Sequence, residues 1–338
     1  MLGGVVMNLY LDNGYINIEY ILNYNCPVSI VIGGRATGKT FGALQYAIDH
    51  NKNIIFMRRT QSQTDLINKP EFSPINPVVQ YMEKECIVKP ISKYNSSITV
   101  NDRVIGYTAA LSTFSNLRGF DSSNIDLLIY DEFIPESHER PTKAEGEALL
   151  NVYESVNRNR ELNGRKPLQM LLLSNANTLN SPILEVMKLT RIVEKMRNNG
   201  KTEYINPDRG IALFLLHNSP ISKAKEQTAL YKMVGDSNFR EMSLGNDFAF
   251  DDLADIKSIP LTGWRLLAQI GKYYLYKKEN LFYISSHCAG TPKRIYTDSE
   301  IDKRNFIREN PNCYEKILTH KIIYENFSAK NYLTSLYI

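Results

Sequence analysis

Residues Gly33-Gly34-Arg35-Ala36-Thr37-Gly38-Lys39-Thr40 set a lysine and a hydroxyl directly behind a glycine-bearing turn, a full match to G-x-x-x-x-G-K-[ST]. Glycine lets backbone N–H groups close around phosphate oxygens, and a helix starting at the turn adds its partial positive end. The spacing assigns Lys39 to the β- and γ-phosphates and the Thr40 hydroxyl to a magnesium ion. Arg35 lies inside the loop, where a guanidinium fork suits a phosphate or a carboxylate. The segment implies a site for ATP with magnesium.

Leu127-Leu128-Ile129-Tyr130-Asp131-Glu132 is an apolar run ending in two acids. A buried strand of this kind delivers its last side chains to the carboxyl edge of a sheet, where open α/β folds bind ligands. Asp131 is expected to hold magnesium and Glu132 to deprotonate a water, which favours hydrolysis over transfer to a metabolite. Met170-Leu171-Leu172-Leu173 runs into Ser174-Asn175-Ala176-Asn177-Thr178, and Asn175 is the expected γ-phosphate sensor there; an ordinary turn is the plainer reading. Arg158, then Arg160, are candidates for an arginine reaching a neighbouring subunit's site. Cations at a helix end also simply complement its dipole.

These groups need a framework. Val28-Ser29-Ile30-Val31-Ile32 precedes the loop as a buried strand and Phe41–His50 follows it as a helix, the strand–loop–helix setting the motif requires. Further strands are expected at 53–57, 125–130, 168–173 and 211–217, giving a parallel sheet covered on both faces. Helices are expected over 143–160, 183–198 and 223–234, and a loop over 68–78, which holds three prolines. Asn101-Asp102 between two β-rich runs predicts a hairpin. From about residue 251 the pattern becomes aromatic and alternating, with antiparallel strands at 264–270, 273–277 and 281–285.

At 338 residues the chain exceeds one average domain, and 43% hydrophobic content is ample for a core. A net charge of +4 permits nucleic-acid binding through local patches without arguing for it. Cys26, Cys86, Cys288 and Cys313 form no C-x-x-C pair, against a zinc site or disulfide framework and in keeping with a reducing compartment. No signal-peptide pattern and no membrane-length apolar run is present, so a soluble intracellular protein is expected.

Gly-Gly-Arg-x-Thr-Gly-Lys-Thr, Leu117-Arg118-Gly119-Phe120, Tyr130-Asp131-Glu132 and Ser174-Asn175-Ala176-Asn177 together resemble the ATPase core of viral terminase-type genome-packaging motors. The closest likeness is to the encapsidation ATPases of small protein-primed podophages, at motif level over about residues 25–220. The resemblance implies an additional-strand catalytic-glutamate ATPase domain (1–219), a linker subdomain (220–250) and a ribonuclease-H-like C-terminal domain (251–338). It implies a homo-oligomeric ring, commonly a pentamer, acting in the host cytoplasm at the portal vertex of a prohead and driving double-stranded DNA inward. Whether a packaging RNA takes part stays open. Carried over, Gly33–Thr40 match the phosphate loop with its arginine, Asp131 and Glu132 the acidic pair, Asn175 the coupling segment and Arg158 a trans-acting finger. Tyr24-Asn25 marks a neighbourhood for adenine.

A two-metal nuclease needs several converging carboxylates. Asp251, Asp252 and Asp255 share one segment with no acidic partner strand, so a nuclease-like fold without cleavage is expected. Lys277-Lys278, Lys293-Arg294, Lys303-Arg304 and Arg308 are either nucleic-acid contacts or a solvated face. The rival readings are a terminase with a live nuclease, a P-loop kinase acting on a small metabolite, and a nucleotide-gated scaffold.

Overall fold

The computed structural model describes residues 8–117, 121–136, 139, 144–216, 219–237, 240, 243–244, 251, 253 and 255–337. Two compact units divide the chain: residues 1–187 with 195–250, and residues 188–194 with 251–338. Arg118-Gly119-Phe120, Lys143, His217 and Asp252 lie outside the described residues.

Nine strands build the sheet of the first unit: β1 (Val28–Gly33), β2 (Ile54–Arg58), β3 (Cys86–Pro90), β4 (Ser96–Val100), β5 (Arg103–Ala110), β6 (Leu127–Asp131), β7 (Gln169–Asn175), β8 (Glu203–Asn206) and β9 (Ile211–Leu216). Their order is β3-β4-β5-β2-β6-β7-β1-β9-β8. The six from β5 to β9 are mutually parallel, while β4, β3 and β8 add antiparallel pairings toward the edges. The parallel core follows from composition. Strands buried on both faces read as continuous apolar runs, and Ile30–Ile32, Leu127–Ile129 and Leu171–Leu173 are all buried.

Helices α1 (Ile18–Leu22), α2 (Lys39–Asp49) and α3 (Gln61–Ile67) precede α4 (Asn76–Tyr81). The last corrects the expected loop over 68–78: Pro77 sits in the first helical turn, where a missing N–H costs nothing. Helix α5 (Glu145–Asn157) is shorter than expected, closed by Arg158 at φ +46°. The single helix expected over 183–198 is two, α6 (Pro182–Val186) and α7 (Thr190–Asn198), parted by Lys188 at φ +55°. That over 223–234 is likewise two, α8 (Pro220–Lys225) and α9 (Ala229–Val234), the second opened by the extended Thr228. The hairpin at Asn101-Asp102 forms, with φ of +44° and +60°.

In the second unit β10 (Arg265–Ile270), β11 (Tyr273–Lys278) and β12 (Leu281–Ser285) are antiparallel as expected. Two further short strands, β13 (Ile295–Tyr296) and β14 (Ile322–Tyr324), join in parallel at the edges. Helices α10 (Glu300–Glu309), α11 (Asn312–Leu318) and α12 (Phe327–Thr334) contribute Phe306, Cys313 and Leu333 to one core with Ile270, Leu275 and Ile284. All four cysteines are free. No described helix is long and apolar enough to cross a membrane.

Candidate functional site

β1 ends at Gly33 and α2 begins at Lys39, so the loop between them crosses from the sheet edge to a helix start. Ala36 at φ +55° and Gly38 at φ +87° turn it left-handed twice, a backbone pattern that forms anion-binding concavities. Gly34 is required by a close approach: a Cβ there would stand 2.4 Å from the Ser243 carbonyl oxygen. The Arg35 N–H donates to that same oxygen at 3.0 Å. Lys225 Nζ donates to the Arg35 carbonyl at 2.7 Å, so this peptide is held from both sides.

Lys39 is buried, and its ammonium donates to the carbonyls of Gly33 (3.1 Å) and Gly34 (2.7 Å), to Thr37 Oγ1 (3.3 Å) and to Asn175 Oδ1 (3.2 Å). Burial lowers its pKa to about 8; Asp131 pulls the other way, and the nearby Lys225 lowers it further.

Strand register brings the remaining groups to the same edge. Gly33 is level with Asn175, Asp131 with Leu173, and Met57 with Tyr130, which sets Arg58 beside Asp131. Asp131 is almost fully buried, and the Thr40 hydroxyl donates to its Oδ2 at 2.9 Å. Arg58 Nη2 lies 2.9 Å from that same oxygen, and Nη1 pairs with Glu132 Oε2. Glu132 holds φ +58°, a conformation that costs an L-residue energy and that tertiary contacts must sustain. Partial burial raises the Glu132 carboxyl pKa, with the Arg58 charge opposing the shift. Arg35 Nη2 donates to Glu136 Oε1 at 2.7 Å just beyond β6.

Residues 35–41, Asp131, Glu132, Ser174 and Asn175 line a cleft of about 340 Å³. It therefore gathers all the expected loop residues from Arg35 on, the acidic pair and the expected sensor. Arg158 is not in this lining; it lies 3.8 Å from Asp121, half-exposed. Arg160 is buried and donates to the Ser122 carbonyl at 3.1 Å, a structural tie. Tyr24 packs against Tyr20 and Phe214 and donates to Glu203, away from the cleft lining. Sequence reasoning passed over Arg58, Lys225 and Ser243. Only Arg58 carries a signal: a charge ending an apolar strand, as Asp131 ends its own.

At this edge a hydroxyl and a buried carboxylate meet beside a lysine-bearing turn, an arrangement of hard oxygen donors that suits magnesium. The family model described as podovirus DNA encapsidation protein (Gp16) matches residues 11–259. The DNA packaging protein of Bacillus phage phi29 is 25% identical over 304 residues, spanning 84% of this chain and 82% of its own. That of Bacillus phage PZA is 24% identical over the same extent. In fold, the chain is similar to a subunit of the bacteriophage Phi-29 viral genome packaging motor assembly (TM-score 0.70, 17% identity, 98% and 99% of the two chains covered). It is also similar to the Phi-28 gp11 DNA packaging motor (TM-score 0.62, 17% identity, 93% and 95% covered). With a family model matched over most of its length, this chain belongs to the podovirus DNA encapsidation protein (Gp16) family.

Proposed function

We propose that the chain hydrolyses ATP to drive double-stranded viral DNA into a preformed prohead. The observation that carries this reading is the meeting of Lys39, Thr40, Asp131, Glu132 and Asn175 around one cleft at the carboxyl edge of a parallel sheet. In it the Gly33–Thr40 loop binds the phosphate tail, with Lys39 exchanging its loop carbonyls for phosphate oxygens. Thr40 and Asp131 would hold magnesium, which when bound neutralises charge on the phosphates. Glu132 orients a water and accepts its proton, and Asn175 stays in touch with the γ-phosphate end through Lys39. Arg35 braces the segment after β6 through Glu136.

The finer assignments belong to the same proposal: an additional-strand catalytic-glutamate ATPase over 1–219, a linker over 220–250 and a non-cleaving ribonuclease-H-like domain over 251–338. The mixed five-stranded sheet supports the last, and Asp255 is engaged by His320 at 2.8 Å. Ring assembly on the portal, with Arg158 supplied to the neighbouring site in the host cell, completes the reading. The relatives' names, DNA packaging protein and packaging motor, point the same way.

ATP turnover by the full chain, measured with and without double-stranded DNA and empty proheads, tests it. Magnesium-dependent hydrolysis stimulated by both is expected. No affinity for magnesium and ATP, or turnover only with a small-molecule acceptor, overturns it.

A further inference from the structure

Arg58 and Arg59 are neighbours on β2, and strand alternation sends their side chains to opposite faces. Arg59 is a structural cation, bound to Glu139 Oε2 at 2.5 Å and Glu145 Oε1 at 3.2 Å. Arg58 is different. Its printed ion pairs go to the two carboxylates assigned above to metal binding and proton transfer, one through each terminal nitrogen. Its side chain is only 12% exposed, its guanidinium lies 5.8 Å from the centre of the Phe56 ring, and Nε has no partner among the described residues. A fork so held has little freedom, and it reaches Asp131 at the same oxygen that accepts from Thr40.

We propose that Arg58 is a positioning residue with two linked tasks at the acidic pair. It aims the Glu132 carboxylate, and it is the resident cation at Asp131 that an incoming divalent ion must displace. Two adjacent carboxylates at a partly buried sheet edge need a compensating charge. Arg58 supplies it, keeps Glu132 in its left-handed conformation, and keeps Asp131 from taking a metal ion without a nucleotide. When Asp131 turns to the metal, the Nη1 contact remains on Glu132 and fixes its direction toward the water. This inference rests on the ATPase reading.

The test uses the full-length chain with Arg58→Met and Arg58→Lys. First, Mn²⁺ binding to the nucleotide-free protein is followed by loss of the free-ion paramagnetic resonance signal. Arg58→Met is expected to bind Mn²⁺ about tenfold more tightly than the parent, since its competitor is gone. Second, kcat is expected to fall about tenfold or more with KM for ATP little changed, the pattern of a lost transition-state interaction. Arg58→Lys, which keeps the charge without the fork, is expected to retain the parent's weak Mn²⁺ binding and recover only part of kcat. It also serves if Arg58→Met does not fold: parental kcat in Arg58→Lys overturns the positioning role. Unchanged or weaker Mn²⁺ binding in folded Arg58→Met overturns the competition. A parent chain that binds and hydrolyses ATP while either result fails sinks this inference alone; a parent without magnesium-dependent ATP binding sinks the reading beneath it.

Discussion

Lys39 carries its charge where burial opposes it, with a pKa lowered to about 8 and four oxygen acceptors sharing its protons. Those acceptors are neutral, so a phosphate oxygen offers the ammonium a better partner than any of them. Glu132 is in the reverse position: burial raises its pKa, toward that of a group which can take a proton near neutrality. Replacing Glu132 by Gln keeps size and hydrogen bonding but removes the base. The variant should bind ATP with magnesium within about threefold of the parent and lose about a hundredfold or more in turnover. Equilibrium binding of a fluorescent ATP analogue beside steady-state hydrolysis separates the two effects. The same residues show what a sequence can disclose. Lys39, Thr40, Asp131 and Glu132 sit in contiguous patterns whose spacing implies their roles. Arg58 does not, because its partners come from cross-strand register across more than seventy intervening residues.

At the level of elements, the strands were legible wherever they are buried on both faces, since an apolar run leaves few alternatives. β3 was not, being an edge strand with an exposed, lysine- and proline-bearing pattern. The helix breaks at Lys188 and before Thr228 were equally hidden. Neither carries the glycine or proline that punctuates a sequence, and Lys188 adopts a left-handed turn without help from its own type. The Asn101-Asp102 turn shows the opposite case, where residue type and backbone agree. Both residues are at positive φ, the geometry for which Asn-Gly is favoured. Asp102→Gly should therefore stabilise the first unit by about 0.5 kcal/mol, and Asp102→Val should cost about 1–2 kcal/mol. Calorimetric unfolding of the full chain, read at the transition of that unit, checks both signs.

For the whole molecule, two cores stand on different footings. The larger is a sheet sealed by aliphatic strands; the smaller leans on aromatic rings and on Cys313, whose thiol burial pushes up to about 12. A thiol raised above its unfolded value of 9.0 favours folding while it stays protonated. That advantage is complete below pH 9 and fades as the pH climbs toward 12, because the unfolded chain sheds its proton first. The calorimetric transition of the second unit should thus move down between pH 9 and 12, and Cys313→Ala should flatten that slope while lowering the starting stability. Assembly is tested by complementation. Subunits with Arg158→Ala and subunits with Glu132→Gln, each inactive alone, should hydrolyse ATP when mixed. No recovery in any ratio places the finger elsewhere or within its own subunit. One small feature reaches across the larger unit: the Arg35 peptide is gripped at its carbonyl by Lys225, 190 positions away, and at its amide by Ser243. A peptide plane pinned at both ends works like a crankpin. Any rotation it makes to suit an arriving oxyanion is geared directly into displacement of the chain from 225 to 243.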